Sequence, residues 1–132
     1  PPASIFMGDS GAVFLGFTLC VIGVVGFNDN SLLGFAWLIL MAPFLVDAGV
    51  TLLIRLWQGH PPHIAHNDHL YQRLARRTGC ATTMNTGLLM LHGLWQMPSL
   101  IGLMYRPNWA FFMVFLSVIP TLLLLVRARR WR

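Results

Sequence analysis

Asp9 stands in the run Gly8-Asp9-Ser10-Gly11 at the head of a long apolar stretch. A carboxylate in that place has three chemistries open to it. It can cap the helix that follows by accepting orphan N–H groups of the first turn. It can belong to the nucleophile segment of a serine protease, which Gly-Asp-Ser-Gly imitates. It can also hold Mg²⁺ against the phosphate oxygens of a nucleotide, since a helix N-terminus already draws anions. The protease alternative fails on context, because the segment runs straight into an apolar span and no His and Asp on a β-barrel accompany Ser10. Cap and metal ligand both remain.

A second set of chemical groups lies in the polar stretch "RLWQGHPPHIAHNDHLYQRLARRTG", where His60, His63, His66 and His69 recur every third residue. Pro61 and Pro62 bar one continuous helix through the first pair, so the ladder is not a helical face. From Asn67 or Asp68 onward, Leu70, Leu74 and Tyr71 against Arg73, Arg76 and Arg77 fit a short amphipathic helix at a membrane surface. The histidines are either solvated side chains of an interfacial loop or, with the arginines, phosphate ligands beside Asp9.

Two more polar residues fall inside apolar runs. Asp47, four residues after Pro43, is costly at membrane depth and must face protein, a partner or water, which marks it as structural or functional. It is expected to pair with Arg55, to cap a kink or to serve the site. His92 is the one histidine inside a span, which argues against a haem held by two histidines, and a hydrogen bond to a neighbouring helix is expected. Gly16, Gly23, Gly26 and Gly34 read as close-packing positions.

These groups need elements to position them, and composition names the kind. With 56% hydrophobic and 10% charged residues, this is an integral membrane protein, all-α. Four spans are expected, Gly11–Phe27, Leu32–Ile54, Thr86–Met104 and Trp109–Val126, each in or near the ~17–25 residues that cross a bilayer core. The basic residues are all Arg, and Lys and Glu are absent. Most Arg flank apolar segments, where they hold topology and meet anionic head groups, so nucleic-acid binding is excluded. Alternation of the spans puts residues 1–10, the loop 55–80 and 127–132 on one face. That face carries eight of the nine Arg and only Arg106 lies opposite, so it is assigned to the cytoplasm together with the C-terminus. Asp9 and the histidine loop therefore share a side. Cys20 and Cys80 have no ligand-like spacing and read as core thiols. The opening Pro1-Pro2 reads as a loop, and the chain as a piece of a longer protein.

The two polar segments together resemble a known family. "PPASIFMGDSGAVFLGF" is similar to the P-A-x-(I/V)-F-M-G-D-(S/T)-G-S-x-x-L-G segment of the polyprenyl-phosphate N-acetylhexosamine-1-phosphate transferases, the MraY/WecA-like glycosyltransferase family 4. "PFLVDAGVTLLIRLWQGHPPHIAHNDHLYQRLARRTG" is similar to the segment that follows in that family, and "HLYQRL" to the branch that primes O-antigen and related surface glycans. The resemblance covers residues 1–80, and the last two spans by topology only.

The resemblance implies a bacterial inner-membrane enzyme of glycan or cell-wall biosynthesis. It would move N-acetylhexosamine-1-phosphate from a UDP-sugar to undecaprenyl or another polyprenyl phosphate and release UMP. The cofactor would be Mg²⁺, with Mn²⁺ as a substitute, and the full-length protein would form a homodimer. By motif, Asp9 would be the metal ligand on the diphosphate, Phe6 would stack on uracil and Gly8 would let the backbone approach the nucleotide. His69 and His66 would contact the diphosphate, with His63 the weaker match. The family's Asp-Asp motif and its N-x-x-N-x-x-D-G-x-D-G segment precede this region and do not occur here, Ala12 replaces a Ser, and Asn67 stands in place of Arg. The chain thus corresponds to the C-terminal four spans of a transferase of roughly eleven, inactive alone. The other reading is a non-catalytic four-span module that binds anionic lipid or a partner subunit.

Overall fold

The computed structural model describes residues 8–59, 69–79 and 81–129. Helix α1 spans Gly8–Asp29, α2 Ser31–Trp57, α3 Leu70–Thr78, α4 Ala81–Tyr105 and α5 Ala110–Arg129, with a 3₁₀ turn at Pro107–Trp109 before α5. Among the described residues there is no strand. All but α3 are long and apolar enough to cross a membrane. The chain is an all-α, membrane-embedded protein. Each spanning helix runs past its expected apolar stretch at one end or both, because hydropathy marks the part in hydrocarbon while the backbone ladder continues into the interface.

Helices α1 and α2 form a hairpin with a single residue between them. Asn30 closes it, since its N–H donates to the Gly26 carbonyl at 3.0 Å and its side-chain oxygen accepts from Leu32 N–H at 2.9 Å. One residue thus ends one helix and caps the next. Small residues let the two backbones approach: a Cβ at Gly23 would lie 2.7 Å from the Trp37 indole, and one at Gly34 would overlap the Phe27 ring. Gly26 would meet only ordinary contacts and Gly16 none, so close packing holds for Gly23 and Gly34 and fails for Gly16.

Three of the spanning helices contain proline, at Pro43, Pro98 and Pro120. Proline removes an N–H and orphans the carbonyl four residues before it, a serious cost where no water can substitute. At Pro120 the orphan is Leu116, and the Trp95 indole N–H of α4 donates to that carbonyl at 2.9 Å. The break in α5 is thereby turned into a tie to α4.

Helix α2 is central, packed against α1, α4 and α5. The interior carries Thr51, Gln96, Ser99, Ser117 and Thr121, all buried, whereas Phe14, Phe44, Phe111, Leu89 and Leu94 face outward and are mostly exposed. That distribution suits lipid, which offers apolar side chains nothing to flee and leaves polar ones to pair inside. Trp57, Tyr105 and Trp109 are exposed near the helix ends, where indole and phenol sit at head-group level. Two expectations change. Cys20 is exposed on α1, which packs on α2 alone among the major contacts, so its thiol faces outward instead of into a core. His92 Nδ1 is buried with no hydrogen-bond partner among the described residues, so the hydrogen bond expected to a neighbouring helix is not formed at that nitrogen.

Two apolar clusters hold the ends of the bundle. Ile39, Leu103 and Ala110 centre one, near the Asn30 and Arg106 turns. Leu70, Leu125 and Ala128 centre the other, where α3 lies against α4 and α5 and its cluster packs on Val46 and Val50 of α2, with Leu74 and Leu124 around it.

Candidate functional site

The described parts of the two polar segments lie at the same end of the bundle. Gly23 faces Trp37 and Gly34 faces Phe27, so the hairpin is antiparallel and the start of α1 lies at the end where α2 finishes. The joint between α3 and the bundle lies at that end too. Its centre is Asp47, on α2.

The Asp47 carboxylate is partly buried and meets three groups. Oδ1 accepts the Leu70 backbone N–H at 2.9 Å and, more weakly, the Thr51 hydroxyl at 3.4 Å. Oδ2 lies 3.7 Å from His69 Nδ1, within ion-pair reach though too long for a hydrogen bond. Leu70 opens α3, so a carboxylate of the membrane helix caps the loop helix and faces its positive dipole end. A charge-assisted bond of this kind contributes about 1.5–3 kcal/mol. The Leu70 side chain, 3% exposed, is buried in the apolar cluster at the same turn and adds about 1.5–3 kcal/mol. One residue is thus gripped through both its backbone and its side chain.

His69 is the N-cap of α3, with an extended backbone at φ −61° and ψ 149°. Its N–H donates to Gln72 Oε1 at 3.3 Å, the reciprocal half of a capping box. Its ring stacks near Tyr71, centroids 6.0 Å apart and planes 16° from parallel. The helix closes at Gly79, whose φ of 64° is a left-handed conformation that favours glycine and whose N–H returns to the Ala75 carbonyl at 3.0 Å. Arg76 and Arg77 on its last turn are exposed. The amphipathic helix expected from Asn67 or Asp68 is present, beginning at Leu70.

Asp9 lies in the first turn of α1, exposed, where its charge suits the dipole. Gly8 has φ +66° and open space around it, a backbone form that glycine adopts without strain. No hydrogen bond or ion pair joins Asp9 to α3 among the described residues, and no group of three or more His, Cys, Asp or Glu gathers there. Phe6, His60, His63 and His66 lie outside the described residues. A lone exposed carboxylate fits Mg²⁺ in one way only, as a single protein ligand that shares the ion with phosphate oxygens.

Sequence reasoning singled out Asp47 and placed its partner within α2 or the site, but the joint to α3 was not foreseen. A signal was present in His69-Leu70-Tyr71-Gln72, which has the spacing of a capping box with His at the cap, a residue the usual Ser/Thr rule passes over. No protein-family model matches this chain, and no curated protein or solved structure matches it.

Proposed function

We propose that the chain is the C-terminal four-span portion of a polyprenyl-phosphate N-acetylhexosamine-1-phosphate transferase of roughly eleven spans, the MraY/WecA-like family its two motif segments resemble. The observation that carries the reading is the placement of Asp9 and His69, each within a family-like motif, at one end of a membrane bundle. The end is the cytoplasmic one in this reading, because the Arg-rich segments belong to it. The donor is a UDP-N-acetylhexosamine, the acceptor a polyprenyl phosphate, and the products a polyprenyl-diphosphate sugar and UMP.

Each residue has a part that its chemistry allows. Asp9 is the residue that would hold Mg²⁺, which when bound offsets charge on the diphosphate. The α1 start, with Gly8 in open space, presents free backbone N–H groups to phosphate. His69 stands at the mouth of α3, where it would contact the substrate as charge moves onto the leaving UMP, and His66 and Phe6 take the roles the motifs give them. Arg76 and Arg77 supply exposed positive charge beside the site.

The test is exchange of labelled UMP into UDP-sugar by the full-length transferase that contains this chain. Asn caps a helix about as well as Asp, whereas a hard cation prefers the carboxylate. Asp9→Asn is therefore expected to abolish the Mg²⁺-dependent exchange and to leave expression and thermal stability nearly unchanged. Substantial exchange by that variant would reduce Asp9 to a helix cap.

A second reading rests on the exposed Arg76 and Arg77 of α3: a non-catalytic module whose basic loop helix binds anionic lipid or a partner subunit. Salt-sensitive lipid binding with no response to UDP or Mg²⁺ would favour it.

A further inference from the structure

Asp47 uses its two oxygens for two different tasks. Oδ1 holds the Leu70 N–H, and Leu70 N is bonded directly to the carbonyl carbon of His69, so that bond fixes the peptide carrying His69. Oδ2 faces the Nδ1 edge of the His69 ring, while Tyr71 stacks beside it. The imidazole is held through its backbone and lies between a carboxylate oxygen 3.7 Å from one nitrogen and a neighbouring ring. A carboxylate at one ring nitrogen favours the tautomer with the proton on that nitrogen and directs the chemistry to the other.

We propose that Asp47, a carboxylate inside the membrane span, is a positioning residue for His69: it docks the start of α3 and sets its charge against the Nδ1 edge of the ring, so that Nε2 is the nitrogen left to the substrate. The proposal rests on the transferase reading for its substrate, but not for its geometry. It also gives the acidic residue at this depth a task. The side chain couples a membrane helix to a loop helix, a task that an apolar residue cannot perform.

The experiment has a structural arm and a kinetic arm, both on the full-length protein in lipid nanodiscs. With ¹⁵N-labelled histidine, the neutral His69 ring of the wild type is expected to carry its proton on Nδ1, and in Asp47→Leu to revert to the Nε2–H tautomer. An unchanged tautomer in Asp47→Leu overturns the proposal whatever the enzyme does. Asp47→Asn keeps an acceptor for the Leu70 N–H, so hydrogen-exchange protection of Leu70–Thr78 should stay within about twofold of wild type. Its kcat should nevertheless fall roughly tenfold, the scale for a carboxylate behind a working histidine, with the KM for UDP-sugar little changed. Full kcat in Asp47→Asn overturns the proposal. In the double variant Asp47→Asn/His69→Ala the loss should be no greater than in His69→Ala alone, and additive losses would mean the two residues act separately. A wild type that performs no exchange would overturn the transferase reading, while the tautomer arm would still decide the role of Asp47.

Discussion

The two ends of the bundle are built on similar apolar clusters and differ in what surrounds them. At the end of the Asn30 and Arg106 turns, Ile39, Leu103 and Ala110 are packed among Leu32, Phe35, Ala36, Leu100, Met113 and Val114, and the connections are short, Asn30 alone in one and Arg106 with a 3₁₀ turn in the other. At the other end, Leu70, Leu125 and Ala128 form an equally buried cluster, but Asp47, Thr51 and Arg55 lie in the same turns of α2. A closed apolar end needs nothing but shape. The second end carries charge in a setting where charge is expensive, and that charge attaches the start of α3 and lies beside the His69 ring. Stability and site chemistry are thus divided between the two ends, and substitutions should sort accordingly.

The largest effect is expected from overfilling the hairpin that serves the closed end. Gly34→Leu would drive a side chain into the Phe27 ring, with a loss of about 3 kcal/mol or more and a clear fall in the thermal midpoint in detergent. A midpoint within a degree or two of wild type would show that α1 and α2 can separate cheaply. Next is Leu70→Ala at the open end. It should cost about 2–3 kcal/mol, felt as faster hydrogen exchange across Leu70–Thr78 with little change in global unfolding. If global unfolding moved as much, the two ends would be one cooperative unit. Trp95→Phe, which removes the donor for the Leu116 carbonyl, is worth about 1 kcal/mol, on the scale of hydrogen bonds between membrane helices. The smallest change is expected from His60→Ala, which should leave turnover near wild type while His69→Ala lowers it more than tenfold. Equal losses would make the loop a general cationic surface.

Much of the architecture could be read from the sequence because lipid simplifies the problem. Long apolar runs have to be helices where the backbone must satisfy itself, and Asn30 and Gly79 mark ends by local chemistry that needs no tertiary knowledge. Leu70 and Leu74 announced α3 by spacing alone. Long-range choices were less legible. Nothing local says that the Asp47 carboxylate reaches a backbone N–H twenty-three residues away, that Trp95 repairs the break at Pro120, or that Cys20 lies on the outer side of α1. Each of these depends on the rotation of one helix against another. In lipid, hydropathy reports that rotation poorly, since the outward face is apolar and the inward face mixes apolar residues with a few small polar ones.

The orientation assigned to the two ends is tested by labelling single cysteines at Gln58 and Asn30 from either side of the membrane. Opposite accessibility is expected, with Gln58 on the cytoplasmic side; same-side labelling would overturn the topology.

The central claim is that the start of α1 and the start of α3 serve one nucleotide-diphosphate site. Its most direct test uses the full-length protein with Cys20 and Cys80 replaced by Ser and a single cysteine introduced at Ser10 or at Tyr71, both exposed positions. Alkylation rates are measured with and without Mg²⁺ and UDP-N-acetylglucosamine. Slower labelling at both positions, only when nucleotide and Mg²⁺ are present together, is the predicted result. Labelling that is indifferent to nucleotide at both positions, or that slows with anionic lipid alone, would contradict the account.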